Sequence, residues 1–334
     1  MTSPQRSYNM SRIRSSIILD MGAGPSAYGR GTANILACSL ETVVAEKMHA
    51  VIDLAGQSSR SCHIPARKTP ALLEQSESSM NTLHTYTFPE AKNIVICGDI
   101  HGEFKSLIYK LCIQYQLTDT LLIVAGDCGF GFEKLGYYEQ LFNRNSSRLS
   151  KSNNWIVMMR GNHDDPSYFS EEKISHQRFR TVPDYSVIQA CGHNILCVGG
   201  AVSIDRTYRK EHDSRHQASD VASYWEDEIP IFDGEALNDI GQRFKIDTVA
   251  THTSPSFCEL ISKDGLSEWA ARDSGLLADC DNERRTMDQI FEYLKANNHP
   301  LEHWFYGHFH QSWSSCIDGV LFSMLDIMEF KELR

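Results

Sequence analysis

Nine side chains able to hold a transition metal stand in five short clusters along this 334-residue chain. Asp99 and His101 sit at i and i+2 on the turn Gly98-Asp99-Ile100-His101-Gly102, so a carboxylate oxygen and an imidazole nitrogen can face one ion. Asp127 follows in Gly126-Asp127-Cys128-Gly129, where a carboxylate at a strand end can bridge two ions, cap a helix or close a turn. Gly161-Asn162-His163-Asp164 adds an amide, an imidazole and a carboxylate at consecutive positions. Thr251-His252 supplies a further imidazole, and Gly307-His308-Phe309-His310 places two histidines on the same side of an extended segment. Each cluster has a bland alternative when taken singly; five in order, each at the end of an apolar run, do not.

The elements that must position these groups are short apolar runs, each ending in a polar turn that contains glycine. Strands are predicted at residues 93–97, 121–125, 155–159, 247–251 and 304–306, with helices at 103–116 and 284–296. Leu107, Ile108, Leu111 and Cys112 share one face of the first helix, and Met287, Ile290, Phe291 and Leu294 one face of the second. Alternating strands and helices define an α/β domain, whose ligands sit at the carboxyl ends of the strands.

The series GDIHG, GD, GNHD, THTSP and GHFH resembles the calcineurin-like metallophosphoesterase superfamily from about residue 93 onward. The resemblance implies two packed mixed β-sheets flanked by helices. It also implies a dinuclear centre, with Asp99, His101 and His310 on one ion, Asn162, His252 and His308 on the other, and Asp127 bridging. The cofactors would be two divalent or mixed-valence transition ions, manganese, iron, zinc or nickel. Such a pair clamps a phosphoryl group and activates a water for in-line attack. His163, beside the carboxylate of Asp164, would serve the leaving oxygen. Arg160 could fork onto two phosphate oxygens or simply occupy a loop surface. The run Gly199 to Arg206, followed by Arg209, Trp225 and Glu228, resembles an element of uncharacterised bacterial members and could line the substrate pocket, with Arg206 as a second phosphate contact, although Gly199 and Gly200 could equally do no more than turn a strand. The second motif lacks the extra Asp and Arg of the related protein Ser/Thr phosphatases, so the resemblance implies a phosphoesterase without implying that narrower class.

Composition narrows the reading further. The formal net charge is −11, from 32 Lys and Arg against 43 Asp and Glu, which argues against nucleic-acid binding through a general basic surface. A phosphorylated substrate of another kind is expected, a monoester before a diester; a phosphodiesterase or nuclease, and a non-catalytic interaction protein that keeps the metals, are the alternatives. Ten scattered cysteines fit reduced thiols, and with no apolar run of membrane length or signal-peptide type they point to the cytoplasm. Residues 1–88 read as a poorly ordered, partly helical extension and 89–334 as the catalytic domain. Within the extension, residues 40–54 have helical spacing, and residues 41–50 resemble a helix of toxin-type nucleotidyltransferases from abortive-infection systems. The glycine-serine and paired-carboxylate elements of such a transferase are missing, so no transferase activity is implied. The pair His212 and His216, in polar surroundings, reads as a solvated loop.

Overall fold

The computed structural model describes residues 83–134, 136–215, 222–258, 260, 263 and 265–334. The helix expected at 40–54 and the transferase-like fragment lie outside them. Among the described residues, twelve strands form two sheets. In the five-stranded sheet β2 (Asn93–Cys97), β3 (Thr120–Ala125), β4 (Trp155–Met159) and β5 (Phe179–Thr181) run parallel, and β12 (Phe330–Leu333) pairs antiparallel with β2. The seven-stranded sheet has the order β1 (Thr85–Thr87), β6 (Ser186–Ala190), β7 (His193–Val198), β8 (Thr248–Thr251), β9 (His303–Tyr306), β11 (Val320–Met324), β10 (Trp313–Ile317). Both sheets are mixed, as the family resemblance implies. Strand β1 lies within the segment read as an extension, yet pairs in parallel with β6.

All six residues of β3 are buried, because its sheet is covered on both faces; continuous apolar runs are the signature of that arrangement. Alternate residues divide between two cores. Ile94, Ile96, Ile123 and Val157 pack with Ile195 and Phe305 of the other sheet. Val95, Leu122, Val124 and Met158 face outward onto α1 (Phe104–Tyr109) and α2 (Tyr137–Ser152) through Phe104, Leu107 and Phe142. On the far side Val249, Trp304 and Tyr306 of the seven-stranded sheet pack with Leu237 and Ile240 of α5 (Gly234–Arg243) and with Met287, Ile290 and Leu294 of α7 (Leu276–Ala296). Layers therefore run helix, sheet, sheet, helix. The remaining helices are α3 (Ser167–Ser170), α4 (Arg206–Arg215) and α6 (Leu266–Ala270).

The expected helices are present with altered ends. The first continues beyond α1 as a π-helical turn, Lys110–Gln114, and the second begins at Leu276, well before residue 284. The segment around His212 is helical rather than a solvated loop. Its mean composition is strongly polar, and it holds together through the i,i+4 pairs Asp205–Arg209 and Glu211–Arg215 and the burial of Arg206 and Arg209. His216 lies outside the described residues. No helix among the described residues is long and apolar enough to cross a membrane. The eight described cysteines are all free thiols.

Registry sets the position of the site. Cys97 pairs with Val124 and Val124 with Met158 in one sheet, and Thr251 pairs with Tyr306 in the other. The five loops that follow β2, β3, β4, β8 and β9 carry the five clusters.

Candidate active site

Those loops bring the predicted ligands together. Ligand atoms of Asp99, His101, Asp127 and His310 all lie within 4.8 Å of one another. His101 Nε2 and His310 Nε2 face each other at 3.0 Å, and Asp127 Oδ2 is 3.9 Å from His101 Nε2. On the other side His252 Nε2 is 3.1 Å from Asp127 Oδ1 and 3.0 Å from Asn162 Oδ1. The rings of His252 and His308 are 5.0 Å apart. Asp99, Asp127, Asn162 and His252 are buried, while His101, His163, His308 and His310 are partly exposed and form the mouth.

The backbone is shaped to achieve this. His101, Asp127, His308 and His310 all have positive φ, between 42° and 68°, a conformation that costs a non-glycine residue energy and clusters at functional sites. Two motif glycines are required by close approach. A Cβ on Gly161 would stand 2.1 Å from Asp127 Oδ1 and 2.8 Å from His252 Nε2, and one on Gly307 would stand 2.1 Å from Asp99 Oδ1. The glycines before Asn162 and His308 thus leave space that the ligand of a neighbouring loop fills.

The residues fit a cation. Asp99 Oδ2 is fully buried and accepts no hydrogen bond of proper geometry, although His310 Nε2 lies 3.0 Å from it. His252 donates Nδ1–H to the Ala125 carbonyl at 2.7 Å, which leaves Nε2 aimed at two acceptor oxygens, an arrangement that needs either a proton or a metal there. Burial would push the Asp127 carboxyl up, but His252, His163 and His101 outweigh it and hold it well below the usual carboxylate range. Asp99 is likewise held low, by His310 and His252 against the effect of burial. Burial disfavours a charge on His252 too, yet Asp127 and Asp99 carry it up to about 10. His308 is pushed down to about 3 by burial, with His252 adding to the effect.

Asn162 is oriented from behind. Its Nδ2–H donates to Ser203 Oγ at 3.0 Å, turning Oδ1 towards His252, and Ser203 donates its own hydroxyl and amide protons to Glu228 at 2.6 and 2.7 Å. Ser203→Ala should therefore weaken metal binding by roughly 10–100-fold, the usual cost of losing such a support. Chelator competition would measure it, and unchanged affinity would show that Asn162 needs no anchor.

Three expected roles are not met. Asp164 does not accompany His163; it is fully buried and accepts hydrogen bonds from the amides of Cys128, Gly129, Phe130 and Gly161 at 2.7–2.9 Å. Its carboxylate pins the second and third motif loops together. Asp164→Ala, which strands those buried N–H groups, should cost at least ~3 kcal/mol in urea unfolding; a loss below ~1 kcal/mol would contradict the clamp. Arg160 is not free for phosphate. Its Nε and Nη2 donate to Asp184 Oδ2 at 2.9 and 2.7 Å, and its remaining protons go to the carbonyls of Asp227, Glu228 and Ile229. Arg206 is similarly consumed, by Asp273 at 2.6 Å and Asp279 at 2.6 Å, and ties α4 to the start of α7.

Arg206 holds the Asp273 carboxyl down, from 3.8 to about 2. A carboxyl depressed in the folded state stabilises above its unfolded pKa and loses that contribution as pH falls to the folded value. Arg206→Met should thus destabilise by ~1–2 kcal/mol near neutrality, with the gap to wild type closing between about pH 4 and pH 2. Urea melts across that range test it; a gap independent of pH would mean that packing, not the ion pair, is lost.

One site residue is read from the sequence only as part of a possible pocket lining. Arg209, buried on α4, places Nη2 3.0 Å from His163 Nδ1. Burial, followed by this guanidinium, pushes the His163 imidazole well below its ordinary range. Away from the site, His193 pairs with Asp247 at 2.8 Å and His299 Nδ1 accepts the Ile246 amide proton.

With carboxylates, imidazoles and an amide gathered at the strand ends between two mixed sheets, the comparisons with known proteins agree: the chain matches the calcineurin-like phosphoesterase family over residues 92–312 and belongs to it. It is accordingly a metal-dependent hydrolase acting on phosphate ester bonds. Among solved structures it is similar to phosphopantetheinyl hydrolase from Mycobacterium tuberculosis, at 13% identity over 70% of this chain and 89% of that one, with a TM-score of 0.34. It is also similar to a putative 5'-nucleotidase from Staphylococcus aureus in complex with alpha-ketoglutarate, at 12% identity over 72% of this chain and 50% of that one, with a TM-score of 0.34. The chain spans half the length of the latter.

Proposed function

We propose that this chain hydrolyses a phosphate monoester at a dinuclear transition-metal centre. The observation that carries the reading is the placement of Asp127: one carboxylate oxygen faces His101 and the other faces His252 and the side of Asn162. Asp99, His101 and His310 would hold one ion and Asn162, His252 and His308 the other, with Asp127 shared. Manganese, iron, zinc or nickel suits this mixed donor set. Bound ions supply Lewis acidity and an activated water, chemistry that dinuclear sites bring to in-line displacement at phosphorus. Asp99 and Asp127 contribute the negative charge that retains the ions, and the Ser203–Glu228 support keeps the Asn162 oxygen inward.

His163 stands beside this centre, its ring centroid 5.3 Å from that of His101, where it can serve the leaving oxygen, by a proton or by a hydrogen bond that stabilises the charge developing there. The net charge of −11 favours a small or protein-borne monoester over a nucleic acid. Free thiols at all eight described cysteines support a cytoplasmic setting. Turnover of p-nitrophenyl phosphate against bis-p-nitrophenyl phosphate, with manganese added, is the direct test. Faster diester hydrolysis would make the chain a phosphodiesterase, and turnover of neither ester would favour a non-catalytic protein.

A further inference from the structure

Arg160 and Arg206 show what a structural arginine looks like in this fold: every edge of the guanidinium meets a carboxylate or a carbonyl. Arg209 is different. Nε donates to Asp205 Oδ2 at 3.0 Å and Nη1 to the Ser223 carbonyl at 3.3 Å, which fixes the plane of the group. Among the described residues Nη2 meets no oxygen of that kind; it lies against the imidazole of His163, 3.0 Å from Nδ1 and 2.5 Å from Nε2. An imidazole offers at most one lone pair in the guanidinium plane and no negative charge, so this edge is poorly matched by its present neighbour. The side chain is only 5% exposed, and the carboxylate that offsets its charge, Asp205, is 32% exposed. A buried guanidinium that is rigidly held, half satisfied and turned towards the reaction centre is suited to an incoming anion.

We propose that Arg209 is the specificity-determining residue of the site and selects phosphate monoesters by binding the oxygen, and the second negative charge, that a diester lacks. The inference rests on the phosphoester reading above and adds the residue that makes the choice. A monoester carries close to two negative charges at neutral pH, spread over three terminal oxygens, whereas a diester carries one charge over two. Ions held between Asp99, Asp127 and their imidazoles can neutralise part of that charge, and a cation on the His163 side is placed for the remainder. In a diester the third oxygen bears a second substituent, which would meet the guanidinium instead of pairing with it.

The experiment uses the full chain loaded with manganese, comparing wild type, Arg209→Gln and Arg209→Lys on p-nitrophenyl phosphate and bis-p-nitrophenyl phosphate. Binding of inorganic phosphate and of dimethyl phosphate is followed in parallel by calorimetry. Arg209→Gln should lower kcat/KM for the monoester by roughly 30–100-fold and for the diester by less than about 5-fold, the scale of one charge-assisted pair. Phosphate binding should weaken by a similar factor while dimethyl phosphate binding changes little. Arg209→Lys, which keeps the charge and loses the fork, should fall between. Equal losses on both esters, or none, with an unchanged melting temperature, would overturn the inference and leave Arg209 as a support for His163. If Arg209→Gln does not fold, the same comparison is decided on Arg209→Lys. Failure of the wild-type chain to turn over either ester would instead overturn the phosphoester reading on which the inference stands.

Discussion

Asp127→Asn should lower kcat/KM by at least about 10³-fold and reduce bound metal from about two ions per chain to one or fewer. The substitution isolates charge. Asp127 sits at φ 44°, a conformation asparagine tolerates, and the amide proton donated by His163 to Oδ1 at 2.8 Å can still be accepted by an asparagine oxygen. The backbone should therefore survive. What is lost is the carboxylate whose two oxygens face the two imidazole sets, so one side must take a neutral NH2 group that has no lone pair for a cation. A factor of 10³ corresponds to ~4 kcal/mol of transition-state stabilisation, within what a charge-neutralising metal supplies. Elemental analysis beside steady-state kinetics checks both halves. A variant with two ions and near wild-type kcat/KM would remove the bridging role and with it the dinuclear reading.

The gathering of the candidate ligands was legible in the sequence because each member is written locally. A strand buried on both faces appears as a continuous apolar run, and the glycine that precedes a ligand marks where another loop's ligand presses in, as Gly161 does against Asp127 and Gly307 against Asp99. Long-range pairing is not written that way. Arg160, Arg206 and Asp164 all read as site chemistry by their neighbours in sequence, yet their partners are Asp184, Asp273 with Asp279, and amides of the second motif loop. No spacing rule announces such partners, since they depend on which loops the two sheets bring together.

Arg209 read only as one member of a possible pocket lining, with no role of its own, for the complementary reason. Helix α4 buries two arginines instead of an apolar stripe, so hydrophobic periodicity passes over it. The cue that was available is the i,i+4 pair Asp205–Arg209, which is helical spacing. Strand β1 was similarly hidden: three residues with burial alternating exposed, half-buried, exposed carry too little pattern to separate them from a polar extension. Ser203 and Glu228 lie beyond the metal-ligand motifs, and a supporting network of this kind becomes visible only when Asn162 is seen to donate into it.

His163→Ala tests the chemistry apart from the metals. The backbone amide of His163, not its ring, contacts Asp127, and alanine keeps that amide; the ring itself lies against His101 and Arg209. Metal content should accordingly remain at the wild-type level while turnover falls by about 10²–10⁴-fold, the range that a positioned proton donor contributes. The size of the loss should depend on the leaving group. p-Nitrophenolate departs readily without a proton, so its ester should sit near the lower end of that range, and an alkyl phosphate, whose alkoxide needs protonation as the bond breaks, near the upper end. Comparing the two esters on wild type and variant separates proton donation from electrostatic support. If the loss were the same for both, His163 would be stabilising charge on the phosphoryl oxygens and not serving the leaving group. If metal content fell with activity, the imidazole would belong to the ligand shell, and the division of roles among Asn162, His163 and His252 would have to be redrawn.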